Sequence, residues 1–132
     1  MGQREISVNE RDATVGIVDD DPSVRRGLGR LLRSAGYQIE TFASAREFLE
    51  RRDLASLGCL VVDVRMPGEN GLDLQQVLVA QGHTIPIIFI TGHGDIAMAV
   101  RAMKMGAVDF LTKPFDDQAL LDAVQQALKR EQ

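Results

Sequence analysis

The chain has 132 residues, 45% of them hydrophobic, with one cysteine and a formal charge of −4 at pH 7. That is the length of one domain with a single core, and too little remains for a second. The acidic balance argues against nucleic-acid binding by this chain itself, since phosphate contacts need a basic face, and no apolar stretch approaches the roughly 20 residues that span a bilayer.

Residues 1–13 are polar and lack the apolar segment of a secretion signal. They read as a disordered N-terminal arm or a leftover of cloning, and the domain is expected over residues 14–130. There, five short apolar runs alternate with longer segments of helical periodicity. The first run, Thr14 to Val18, is followed by a helix with Asp21 as N-cap, Pro22 in its first turn, and Val24, Leu28, Leu31 and Leu32 on one face. Gly36 is expected to end it. The second strand, Gln38 to Phe42, alternates in polarity and reads as an edge. Its helix opens with Ser44 and Glu47 at the spacing of a capping box.

The third strand, Cys59 to Val62, contains the lone cysteine, which reads as a small buried hydrophobe and fits a reducing cytoplasm. A polar loop from Asp63 to Asn70 leads to a helix from about Gly71 to Ala80. The fourth strand is expected from Ile85 to Ile90, followed by Thr91-Gly92-His93-Gly94 and a helix with Asp95 as N-cap and Gly106 as its stop. The fifth, Val108 to Leu111, passes through Thr112-Lys113-Pro114 into a last helix, Asp116 to about Lys129, with Leu120, Val124, Ala127 and Leu128 inward. Strands this continuously apolar belong to a parallel sheet covered on both faces. The expected fold is therefore α/β, a three-layer doubly wound sandwich of five parallel strands in the flavodoxin-like order 2-1-3-4-5.

Such sheets bind ligands beyond the carboxyl ends of their strands. Strand one ends in Asp19-Asp20-Asp21, strand three in Asp63 and strand four in Thr91, while Lys113 follows strand five and the edge strand ends without charge. A single aspartate at a strand end is most often a helix cap, which is the simplest reading of Asp21. Coincidence at four separate strand ends is a different matter. Three crowded carboxylates need a counterion, or one must shift its pKa upward and take a proton. Mg²⁺ suits one or two carboxylates with a carbonyl, water and a phosphate oxygen. Lys113 and the Thr91 hydroxyl could hold other phosphate oxygens, giving a site for in-line phosphoryl transfer by positioning and charge neutralisation.

The stretches Ile17 to Asp21, Val61 to Gly68, Ile90 to Asp95 and Asp109 to Phe115 resemble the receiver domains of bacterial two-component response regulators, over about Thr14 to Arg130. The Thr-Gly-His-Gly-Asp and Gly-Ala-Val-Asp-Phe-Leu-Thr-Lys-Pro-Phe stretches look most like FixJ-like transcriptional regulators. The resemblance implies that Asp63 is the phosphoacceptor for a sensor histidine kinase. It implies that Asp20, Asp63 and the Arg65 carbonyl ligate Mg²⁺, with Asp19 reaching the metal mainly through water. Thr91 and Lys113 then hold the phosphoryl group, Phe110 is the switch aromatic, and Lys113–Pro114 is cis.

The fourth helix offers two apolar sets, Met98, Ala102, Met105 and Ile96, Val100, Met103. One should pack on the sheet, and the other is a candidate surface for a homodimer formed on phosphorylation, as the resemblance implies for the face shared with strand five. Arg25, Arg26, Arg30 and Arg33 read as a solvated face of the first helix, which in this family also docks the kinase. His83 and His93 read as loop residues rather than zinc ligands. A haloacid-dehalogenase-like phosphatase would need a second carboxylate where Arg65 stands, an FMN binder would need a phosphate cradle where the first loop is acidic, and a purely structural adaptor would have no use for the acidic pocket. The chain is a complete single-domain regulator or the receiver of a longer transcription factor, and its ending just past the last helix favours the second.

Overall fold

A computed structural model describes residues 13–51, 53–66, 68, 70–92 and 96–130. The arm as far as residue 12, His93 and the Asp95 cap lie outside these described residues.

Five parallel strands form one sheet in the order β2-β1-β3-β4-β5. They are β1 Thr14–Val18, β2 Gln38–Phe42, β3 Leu57–Asp63, β4 Ile87–Thr91 and β5 Asp109–Thr112. The helices are α1 Pro22–Ser34, α2 Ala45–Leu49, α3 Gly71–Ala80, α4 Ile96–Lys104 and α5 Asp117–Arg130, with a 3₁₀ turn at Leu54–Ser56. The period of two along each strand splits the core into two halves. Val15, Ile17, Cys59, Val61, Ile88 and Ile90 pack against α1 and α5. Val18, Leu60, Val62, Ile87 and Phe89 pack against α2, α3 and α4. The expected order, edge strand and buried cysteine are all found.

The element ends differ from expectation in small, explicable ways. β4 begins at Ile87 rather than Ile85 because Pro86 has no N–H to give a ladder. β3 is longer at both ends than its apolar run and takes in Asp63, whose backbone pairs with Ile90. β5 lies one residue later than expected, Asp109–Thr112. α5 opens at Asp117, with the Asp116 carbonyl accepting from the Ala119 N–H at 2.9 Å. Gly36 and Gly106 are the expected helix stops, at φ 99° and 102°, a left-handed turn that suits glycine. At α2 the Glu47 N–H donates to Ser44 Oγ at 3.0 Å, but Glu47 reaches back to the Ala43 N–H instead of that of Ser44.

Of the two apolar sets along α4 and the residue just past it, the structure turns the first inward, with Met98 and Met105 half-buried. Ala102 is fully buried and Met98 packs on the core, whereas Ile96 is 81% exposed and Val100 and Met103 also face outward. Gln75 of α3 was not singled out by its sequence, yet it is buried between α3 and α4 and donates from Nε2 to the Ala102 carbonyl at 3.1 Å.

Candidate phosphoryl and metal site

The parallel ladder aligns the ends of β1, β3 and β4, so the side chains just beyond their apolar runs meet above the sheet. Asp19 leaves β1 with its N–H donating to the Phe42 carbonyl, 3.1 Å, and is fully buried. Asp63 closes β3 and is almost as buried. Asp20 stays exposed beside them. One carboxylate oxygen from each of Asp19, Asp20 and Asp63 lies within 4.8 Å of the others. Lys113 follows β5, its N–H donating to the Thr91 carbonyl at 2.7 Å, and its Nζ stands 4.0 Å from Asp19 Oδ2. The Lys113–Pro114 bond is cis. Thr91 is buried at the end of β4, one residue past Ile90, the register partner of Asp63.

The local chain geometry holds the carboxylates in place. Asp19 Oδ1 accepts from the Asp21 N–H at 2.9 Å, and Asp63 Oδ1 accepts from the Arg65 N–H at 3.2 Å. Asp21 caps α1, accepting from the Ser23 N–H at 2.9 Å, as its simplest reading required. α3 approaches the end of β3 closely: a Cβ on Gly71 would stand 2.8 Å from the Asp63 carbonyl oxygen. Its first turn is closed by a capping box between Asn70 and Asp73. That asparagine and aspartate have the three-residue spacing of a box, a signal present in the sequence and overlooked.

Burial pushes the Asp19 carboxyl up from an ordinary 3.8 to about 6; the Asp21 N–H bond offsets part of this and the Asp63 charge adds to it. Asp63 is raised as well, first by burial, with the Arg65 N–H and the Lys113 charge opposing. An upward shift was expected from crowding, but loss of hydration is the larger cause. Asp19 Oδ2 is buried with no hydrogen-bond partner, since Lys113 Nζ at 4.0 Å is too far for one. A buried anionic oxygen left open toward two further carboxylates is what a hard, oxygen-seeking cation would satisfy.

One reading is corrected. Arg25 does not belong to the solvated face with Arg26, Arg30 and Arg33: it is half-buried, and Nη1 donates to the Asp19 carbonyl at 2.6 Å. Four residues after the Asp21 cap, it lies on the side of α1 that faces the end of β1, which a count of charges along the helix does not reveal. Phe110 stands outside the polar cluster. It is half-buried in β5, its ring centroid 6.3 Å from that of Phe89. His83 lies before β4, away from the carboxylates. Among the described residues, no helix is long and apolar enough to cross a membrane.

Comparison with known proteins gives this geometry a family. Residues 15–125 match the family described as the response regulator receiver domain. Nodulation protein W of Bradyrhizobium diazoefficiens is 57% identical over 119 residues, 90% of this chain and 52% of that protein. The response regulator protein TmoT of Ectopseudomonas mendocina is 50% identical over 122 residues, 92% of this chain and 56% of that protein. This chain thus spans about half the length of these relatives. Among solved structures, that of FixJ-N superposes with a TM-score of 0.82 at 43% identity, covering 89% of this chain and 94% of that one. The chain belongs to the response regulator receiver domain family and resembles its FixJ-like members.

Proposed function

We propose that this chain takes a phosphoryl group from a partner histidine kinase onto Asp63 and uses the added charge as a switch. The observation that carries this reading is the convergence of the Asp19, Asp20 and Asp63 carboxylates within 4.8 Å, with the Lys113 ammonium 4.0 Å from Asp19. The donor set fits Mg²⁺: hard oxygens, more than one carboxylate and a buried acceptor without a partner. Asp20, Asp63 and the Arg65 carbonyl would bind the ion, with Asp19 acting mainly through water. When bound, Mg²⁺ offsets the repulsion among the carboxylates and the charge of the phosphoryl oxygens.

An Asp63 carboxylate oxygen attacks the phosphorus in line as the P–N bond of the donor phosphohistidine breaks. The bonding pair leaves with the imidazole nitrogen, which is then free to take a proton. Lys113 neutralises one peripheral phosphoryl oxygen and the Thr91 hydroxyl donates to another. Water later cleaves the acyl phosphate, so the chain takes part in its own phosphorylation and dephosphorylation without being an enzyme that turns over a separate substrate. The exposed arginines of α1, Arg26, Arg30 and Arg33, present a cationic face to the kinase.

The new phosphoryl oxygens draw Thr91 and Lys113 toward them, and Phe110 moves inward into the space vacated. That movement shifts the α4/β5 face, where Ile96, Val100 and Met103 are exposed, toward a homodimer or toward an output domain that controls transcription. A chain of this kind works in the cytoplasm. Intact-mass measurement after acetyl phosphate and Mg²⁺, on wild type and Asp63→Asn, tests the reading. One phosphoryl adduct on the wild type alone is expected, and an equal adduct on the variant would place the acceptor elsewhere.

A further inference from the structure

Asp20 is the one carboxylate of the cluster that stays exposed, so the backbone on either side of it sets its direction. The peptide that follows Asp20 is held by the cluster itself, since the Asp21 N–H donates to Asp19 Oδ1 at 2.9 Å. The peptide that precedes it is held from outside. Its carbonyl, that of Asp19, lies past the last residue of β1, and among the described residues no backbone N–H donates to it. Arg25, four residues beyond the Asp21 cap of α1, donates to it from Nη1 at 2.6 Å. A guanidinium donates from a fixed plane, and a charge-assisted bond this short holds a carbonyl more firmly than a neutral donor does.

We propose that Arg25 is a positioning residue for the divalent ion: by fixing the Asp19–Asp20 peptide, it aims the Asp20 carboxylate at the point that the Asp63 carboxylate also reaches. This rests on the metal reading above and adds to it a side chain that acts only through the backbone of a ligand. Partners placed one bond behind the ligands of a metal typically carry roughly ten- to a hundredfold of its affinity. Charge alone predicts the opposite sign. A guanidinium one peptide away from the carboxylates repels an incoming cation, so removing it for its charge would tighten binding. The half-buried Arg25 also packs by its stem, which methionine largely keeps and lysine keeps together with the charge.

Mg²⁺ alone is titrated into the 132-residue chain, without phosphodonor, by amide-resolved NMR, for wild type, Arg25→Met and Arg25→Lys. Before any Mg²⁺ is added, the amide of Asp20, on the same peptide as the Asp19 carbonyl, should shift in Arg25→Met while those of Leu60 and Val61 in mid-β3 stay in place. Arg25→Met should then bind Mg²⁺ about tenfold more weakly than wild type, and Arg25→Lys, which restores a donor without the planar fork, should lie between the two. An unmoved Asp20 amide, or Mg²⁺ binding by Arg25→Met as tight as wild type or tighter, would overturn the proposal. Should Arg25→Met fail to fold, Arg25→Lys decides alone: its charge is unchanged, so weaker binding supports positioning and wild-type affinity overturns it. No saturable binding by the wild type would sink the metal reading and this inference together, whereas normal wild-type binding with unchanged variants sinks this inference only.

Discussion

Asp19→Asn should stabilise the metal-free chain at neutral pH, although it removes a charge from the site. The wild-type Asp19 carboxyl titrates near 6 in the fold against 3.8 ordinarily, a difference worth on the order of 3 kcal/mol at about 1.36 kcal/mol per pH unit. Because the folded pKa is raised, the native state holds more protons than the unfolded chain between these two values. The resulting stability is fully present below 3.8 and lost as pH rises through about 6. Between about pH 5 and about pH 7.5 the loss from Asp19 comes to about 1.4 kcal/mol, and Asp63, raised in the same direction, adds to it. Urea unfolding with a chelator present, at several pH values, measures this directly. Asp19→Asn should show a shallower fall with pH and a higher midpoint at neutral pH, by up to about 3 kcal/mol. Equal or lower stability of the variant at neutral pH, with the same slope, would refute the claim that burial strains this carboxylate.

Further outcomes follow from the packing and the site. Gly71→Ala, favourable for a helix by propensity, should cost about 1–3 kcal/mol because its Cβ would stand 2.8 Å from the Asp63 carbonyl and 3.0 Å from Val62 Cγ1; an unchanged urea midpoint would contradict this. Val100→Glu, at a surface position of α4, should leave monomer stability within about 0.5 kcal/mol and abolish dimerisation of the phosphorylated chain in sedimentation, so a dimer of wild-type strength would remove α4 from the interface. Lys113→Met should slow adduct formation from acetyl phosphate by about a hundredfold, measured by intact mass over time; a wild-type rate would deny the ammonium its role.

The sheet order and the two faces of the core were legible because five strands with continuous apolar runs, joined by helical segments, leave few other ways to bury them. The acidic cluster was legible for the same reason, since the topology brings the ends of β1, β3 and β4 together. What the sequence left open depends on tertiary contacts. Two apolar sets of equal spacing run along α4, and only packing against the sheet decides that Ala102 is inside and Ile96 outside. Arg25 was hidden among four arginines of one helix until the position of the β1 carbonyl singled it out. Gln75 was invisible, because one of two adjacent glutamines on a helix gives no hint that the neighbouring helix turns a carbonyl toward it.

The most direct test of the central claim, that Asp20, Asp63 and the Arg65 carbonyl share one divalent ion beside Lys113, is anomalous diffraction from crystals grown with Mn²⁺, an oxygen-seeking octahedral ion like Mg²⁺. A single strong anomalous peak in contact with the Asp20 and Asp63 carboxylates and the Arg65 carbonyl is expected. A peak elsewhere on the chain, or none at this cluster at millimolar Mn²⁺, would contradict the account.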